Sequence, residues 1–146
     1  MNNFLYTFIP KNLNFHKFYK KKMIYCIKRK KFYLCTLEEY LRQKILLYLI
    51  IKKGYNLYNI FVEEYFIFNY KNYKIDILIK KNNKPFFLIE CKSPINKINY
   101  YNIHQILHYG SILNCKYFFL TNQTNNFIFL KKNNKIKFLK TIPYNK

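Results

Sequence analysis

The sequence predicts an α/β domain with a mixed central β-sheet flanked by helices. Three observations carry this expectation. A capped stretch with helical apolar spacing covers about 37–52. Three β-rich runs separated by polar turns follow between 60 and 91. A second helical stretch over about 100–113 then leads into a further strand and a hairpin. At 146 residues the chain has the length of one domain.

The elements follow in order. Residues 1–35 read as a basic extension, irregular to strand-like, in which Met23–Ile27 and Lys31–Cys35 can pair as a hairpin packed on the core. Its basic runs, Lys20–Lys22 and Lys28–Lys31, read as solvated edges. Residues 36–146 form the main domain, one structural unit with the extension. Thr36 stands three residues before Glu39, the spacing of a capping box. Leu37, Tyr40, Leu41, Ile45, Tyr48 and Leu49 recur at helical intervals, and Gly54 ends the segment. Ile60–Asn69 is rich in strand formers. In Tyr73–Lys80, the residues Ile75, Ile77 and Ile79 alternate with Lys74, Asp76, Leu78 and Lys80, which predicts two faces. Phe86–Cys91 is a short apolar strand. Asn69–Asn72 and Lys81–Pro85 are the turns between them. Lys116–Leu120 is a further strand, and Phe127–Lys131 with Lys135–Leu139 makes a hairpin around Asn133-Asn134. The order is α-β-β-β-α-β-β-β.

Composition sets limits on function. About half the residues are apolar, enough to fill a core at this length and to exclude a disordered chain. The net charge of +21 suits a polyanion partner. Lys far outnumbers Arg, and Asn, Ile, Phe and Tyr are abundant, so drift toward AT-rich codons accounts for most of this charge. Nucleic-acid binding is compatible with the charge but is not established by it. Cys26, Cys35, Cys91 and Cys115 are widely spaced and form no C-x-x-C pair, which argues against a zinc site or a disulfide frame. No signal layout opens the chain, and the longest apolar run, Ile45–Ile51, is too short to span a membrane. The expectation is a cytoplasmic protein with reduced thiols and no membrane partner.

One constellation carries chemistry. Asp76 is the only aspartate. Glu90 ends an otherwise apolar strand, and Lys92 lies two residues on. Alternation puts Glu90 and Lys92 on one side of their strand with Cys91 opposite. If the Asp76 and Glu90 strands form a hairpin, two carboxylates and an ammonium meet at a sheet edge. Such a group suits phosphodiester hydrolysis. Mg²⁺ takes oxygen ligands, commonly one or two carboxylates with water and substrate phosphate. Asp76, Glu90 and the backbone carbonyl of Cys91 would supply them, with Mn²⁺ as a substitute ion. Lys92 would orient the attacking water or offset developing charge. A surface Glu90–Lys92 ion pair beside an unrelated strand aspartate fits the same spacing.

At these residues the sequence resembles the PD-(D/E)XK nucleases. More closely it is similar to the N-terminal domain of type I restriction enzyme R subunits, including small stand-alone proteins of that type from Bacteroidetes-like bacteria. The likeness rests on TLEEYLRQKILLYLIIKKGY (Thr36–Tyr55), FVEEYF (Phe61–Phe66), YKIDILI (Tyr73–Ile79), NKPFFLIECKSP (Asn83–Pro94), QILHYG (Gln105–Gly110) and YFFLTN (Tyr117–Asn122). It covers most of the chain. The resemblance implies a restriction-endonuclease-like core, a metal site at Asp76 and Glu90, and a catalytic Lys92. It also points to Glu39, which a helix cap explains equally, and to Gln105 with Tyr109, in the Q-x-x-x-Y spacing that places both on one helix face. His104 and His108 are also four apart, but no third ligand stands near them.

The implied activity is Mg²⁺-dependent endonucleolytic cleavage of DNA. The alternatives are a weak or inactive nucleic-acid-binding scaffold of the same fold, or an RNA or repair nuclease. Two departures from the family pattern stand out. Ile75 takes the place of the usual Pro, and no G-x-x-x-x-G-K-[ST] is present for an ATP motor. Activity on DNA would then need a homodimer or a protein partner to supply specificity, or would be of low sequence specificity.

Overall fold

Thr36 starts the first helix as its spacing requires. Its hydroxyl accepts the Glu39 amide at 3.0 Å, and Gly54 ends the helix with φ 71°, donating to the Leu49 carbonyl. Around this helix the computed structural model describes residues 8, 10–11, 13–133 and 135–145. The opening of the predicted 1–35 extension and Asn134 of the last turn lie outside these residues.

Strands β1 (Phe15–Phe18), β2 (Lys21–Cys26) and β3 (Lys31–Leu34) form an antiparallel three-stranded sheet. Helix α1 (Leu37–Lys53) follows, then β4 (Ile60–Phe68), β5 (Lys71–Lys81) and β6 (Lys84–Cys91). Helix α2 (Tyr100–Ile112) crosses to β7 (Tyr117–Thr121), and β8 (Asn126–Lys132) and β9 (Lys135–Leu139) close the order. Strands β4 to β9 form a six-stranded sheet in sequence order. Only β6 and β7 run parallel, because α2 carries the chain back between them. The mixed α/β class and the element order agree with the sequence reading. The predicted hairpin of the extension is present as β2–β3, with β1 added beside it.

The tight turns are set by unusual residues. With two glycines in the whole chain, Tyr19-Lys20, Asn69-Tyr70 and Asn82-Asn83 take positive φ between 45° and 65°. Each pair is a two-residue hairpin loop whose mirror-image twist matches the strands it joins.

Two apolar layers enclose the large sheet. Leu41, Ile45, Leu46 and Leu49 of α1 pack on Ile77, Ile79, Phe87, Ile89 and Phe119. Ile106 of α2 packs with Leu78, Leu88, Phe118 and Leu120 on the other face. One expected face assignment is corrected here. Ile75 does not join Ile77 and Ile79 but sits in the α2 layer. The β4–β5 pairing runs Val62↔Ile77 and Glu64↔Ile75, and Glu63 between them has φ 54°. That left-handed residue interrupts the pleat beside Asp76, so the strict alternation fails at that point.

Gly110 sets how closely α2 approaches the sheet. A Cβ there would lie 1.7 Å from Cε1 of Phe118, which is buried in the sheet. Gly110→Ala must therefore push α2 or Phe118 aside. We expect a loss of about 1–3 kcal/mol in urea unfolding, and unchanged stability would contradict this packing.

Candidate active site

Strands β5 and β6 pair from Lys81↔Lys84 up to Ile77↔Ile89. Beyond that point the backbone ladder stops. The Asp76 carboxylate takes over the joint, its Oδ2 accepting the Cys91 amide at 2.7 Å. The chain after β6 follows β7 instead, with the Lys92 amide donating to the Thr121 carbonyl. The two strands thus part at Asp76, and Glu90 and Lys92 lie at the parting. Lys92 Nζ donates to Glu90 Oε1 at 2.7 Å. Cys91 points the other way, into the α1 layer, as alternation requires.

Helix α1 supplies the rest. Its N-terminal turn faces the parted strands, and Arg42 Nη2 donates to Asp76 Oδ1 at 2.8 Å. Arg42 also pairs with Glu39 and reaches Glu38 at 3.4 Å. Arg29, from the turn between β2 and β3, pairs with Glu39 and with Glu63 at 2.8 Å. Glu39 further accepts from Gln43 at 2.7 Å. The expected reciprocal capping box is therefore only half formed. Thr36 accepts from Glu39, but the Thr36 amide donates to Leu34. Charge-assisted bonds to two guanidiniums draw the Glu39 carboxylate away from a neutral amide.

The two carboxylates differ in their partners. Asp76 has a guanidinium and an amide on it, whereas Glu90 has only Lys92 among the described residues. Burial pushes the Glu90 carboxyl up to about 7, and the negative charge of Asp76 adds to this against the pull of Lys92. Burial works against the Lys92 ammonium, yet Glu90, Asp76 and Glu38 hold its pKa above the ordinary lysine value. Glu38 is raised by burial and by Asp76, partly offset by Arg42 and Lys92. Glu38 and Lys92 line an open cleft of about 600 Å³ together with Ile95, Asn96, Lys97, Asn99 and Asn102.

The raised Glu90 has a measurable signature. Between its ordinary 4.5 and about 7, the folded state holds the proton more tightly than the unfolded chain. Stability contributed by Glu90 is therefore full below that window and falls as pH rises through it. In chelator, wild type should lose about 3 kcal/mol relative to Glu90→Gln from pH 4.5 to 7. Parallel pH profiles for the two proteins would mean that Glu90 is not perturbed.

The sequence-derived residues are thus distributed unevenly. Asp76, Glu90, Cys91 and Lys92 meet where the strands part. Glu39 lies beside them, occupied by the two arginines. Gln105 donates to the Tyr109 hydroxyl at 2.9 Å, and these two line a neighbouring cleft of about 350 Å³ with Tyr73, Tyr101, His104 and His108. His104 meets the Tyr100 hydroxyl at 2.5 Å. Three residues went unnoticed in the sequence, Glu38 on the cleft wall, Arg42 on Asp76 and Arg29 on Glu39. A signal for Arg42 was present. The chain has two arginines, Arg29 and Arg42, and both converge on the acids around Asp76.

The donor set fits a hard divalent cation. Asp76, Glu90 and the Cys91 carbonyl offer oxygens from adjacent strands, and Arg42 and Cys91 leave lone pairs free on Asp76. A cation would also relieve the like-charge pressure on Glu90. Among the described residues no group of three or more Asp, Glu, His or Cys side chains is suited to hold a metal.

Residues 37–143 match the family described as type I restriction enzyme R protein N terminus. The match takes in α1, the whole large sheet and α2, and leaves β1–β3 outside. No curated protein and no solved structure matches the chain. No helix among the described residues is long and apolar enough to cross a membrane. The chain belongs to the family of type I restriction enzyme R protein N-terminal domains.

Proposed function

We propose that this chain is a Mg²⁺-dependent DNA endonuclease domain with a PD-(D/E)XK core. The observation that carries the reading is the joint at the parted strands, where Asp76 holds the Cys91 amide and Lys92 holds Glu90. Asp76, Glu90 and the Cys91 carbonyl would hold Mg²⁺ or Mn²⁺. The bound ion would supply Lewis-acid stabilisation of phosphate charge and a more acidic water. Lys92 would orient the attacking water and offset negative charge on the scissile phosphate. Glu38, on the cleft wall, is placed to accept a proton or a water hydrogen bond. Glu39 and Arg42 are positioning residues that fix the Asp76 carboxylate. Gln105 and Tyr109 would meet the substrate strand in the adjoining cleft.

The test is cleavage of supercoiled, linear and single-stranded DNA and of RNA, with Mg²⁺, with Mn²⁺ and with chelator. Cleavage of DNA that stops in chelator supports the reading. Faster cleavage of RNA favours an RNA or repair nuclease. One observation favours a second reading, a nucleic-acid-binding scaffold without useful catalysis. Arg42 already neutralises Asp76 from 2.8 Å, in competition with a cation. Calorimetry with Mg²⁺ and Mn²⁺ separates the two. The nuclease reading expects binding by wild type that is lost in Asp76→Asn, and no binding by wild type favours the scaffold.

A further inference from the structure

We infer that the outer face of the β1–β3 sheet is a binding platform for single-stranded DNA. This sheet lies outside the family match, and the proposed cleavage chemistry uses none of its outer residues.

The pairing register sorts its side chains. Ile24 and Cys26 of β2 are fully buried, and Phe15, the partner of Ile24, stacks on Tyr40 of α1. That is the inner face. The opposite face carries Met23 and Tyr25 of β2, His16 and Phe18 of β1, and Phe32 and Leu34 of β3. Phe18 is 59% exposed, Phe32 46% and Leu34 52%. Three of the rings form a connected row, with His16 5.7 Å and Tyr25 5.2 Å from Phe32 between centroids, and Phe18 packs on Tyr19 of the adjoining turn at 4.7 Å. A folded domain rarely leaves such a row to water without a use for it.

Charge selects the occupant. No acidic residue occurs between positions 13 and 35. Lys20, Lys21, Lys30 and Lys31 are exposed at the ends of the strands. Arg29 alone in this segment is bound to acids, Glu39 and Glu63. An apolar protein partner would gain nothing from lysines at both ends of the strands. A single strand supplies both complements, since unstacked bases lie on exposed rings while phosphates follow lysines. Duplex DNA keeps its bases stacked on one another and has no use for the rings.

The platform has a fixed relation to the cleft. Leu34 is two residues before Thr36, the cap of α1, and Glu38 in the first turn lines the cleft. Arg29 and the Phe15–Tyr40 stack hold the sheet against α1. A strand lying on the sheet would be held near the parted strands of the candidate site. The choice of DNA rests on the nuclease reading, whereas the binding itself does not.

Fluorescence anisotropy tests this in chelator, so that absent cleavage and absent binding are separate failures. The probe is a labelled oligo(dT) of about 15 nucleotides at physiological salt. Phe18→Ala and Phe32→Ala should each weaken binding by about tenfold. Tyr58→Ala, another exposed ring, should leave it unchanged. Both target side chains are largely exposed, and thermal unfolding confirms that each variant is folded. Duplex of the same length should lose little with either change. Equal binding by wild type and the ring variants overturns the proposal, as does an equal loss on duplex, which would mean charge alone. Tighter binding of oligo(U) with the same ring dependence overturns the commitment to DNA. Capture by anionic lipid vesicles that depends on Phe18 and Phe32, with oligo(dT) binding unaffected, would assign the face to a membrane. A dimer that the same substitutions dissociate, again with oligo(dT) binding unaffected, would assign it to a second copy.

Discussion

On the proposed nuclease reading, Asp76→Asn lowers Mg²⁺-dependent DNA cleavage by about 10²–10³-fold, and Lys92→Ala does the same. Asparagine keeps the shape of Asp76 and an oxygen that can accept the Cys91 amide, so the joint between β5 and β6 survives. It removes the negative charge that a divalent cation needs. Loss of one electrostatic contributor to a phosphate-transfer site commonly costs two to three orders of magnitude. Lys92 is the one cation hydrogen-bonded to Glu90 among the described residues, and its removal leaves that carboxylate protonated over a wider pH range. Initial cleavage rates are compared at saturating Mg²⁺, with urea unfolding of each variant to verify the fold. Either variant cutting as fast as wild type would place the chemistry elsewhere.

The second large effect is on stability. Arg42→Met should destabilise the domain by about 3–5 kcal/mol, because removing one partner of a buried ion network leaves the others unpaired. The Arg42 side chain is 6% exposed and carries Asp76, Glu39 and Glu38. Glu39 keeps Arg29, so Asp76 bears most of the loss. Arg42→Lys should recover only part of it, since an ammonium cannot present the planar fork that spans Asp76 and Glu39. On the metal-binding reading, Mg²⁺ restores some stability to Arg42→Met by standing in for the guanidinium. Urea midpoints with and without Mg²⁺ measure both effects, and an Arg42→Met midpoint equal to wild type would show that the network carries little.

The fold was largely legible. Thr36 and Gly54 bracket α1, and Asn pairs mark hairpins even where glycine is scarce. Strand β1 was not, because FHKF is short and turns back through Tyr19-Lys20, neither of them a turn-forming residue. The face of Ile75 was hidden for a different reason. It depends on Glu63 in the neighbouring strand, and alternation within one segment carries no information about its partner.

The candidate site was legible as residue types but not as orientation. Asp76, Glu90 and Lys92 could be read from strand order and spacing. Glu38 and Glu39 are adjacent on α1 and Arg42 reaches both, so it is the position of Arg29, ten residues before Glu39, that puts a second guanidinium on Glu39. Gln105 and Tyr109 share a face as their spacing requires, yet nothing in that spacing says which cleft the face borders. The two arginines were the overlooked clue. In a chain whose basic positions are almost all lysine, a residue kept as arginine marks a place where fork geometry matters.

The bond from the Cys91 amide to Asp76 has an evolutionary consequence. This side chain replaces a rung of the β5–β6 ladder and anchors Arg42, so folding alone exerts purifying selection on it. On the nuclease reading, a descendant that stopped cutting would still be penalised for losing Asp76. Survival of that aspartate in a lineage is thus a poor fossil of activity, whereas Lys92, whose one side-chain hydrogen bond among the described residues is to Glu90, would drift soon after catalysis ceased.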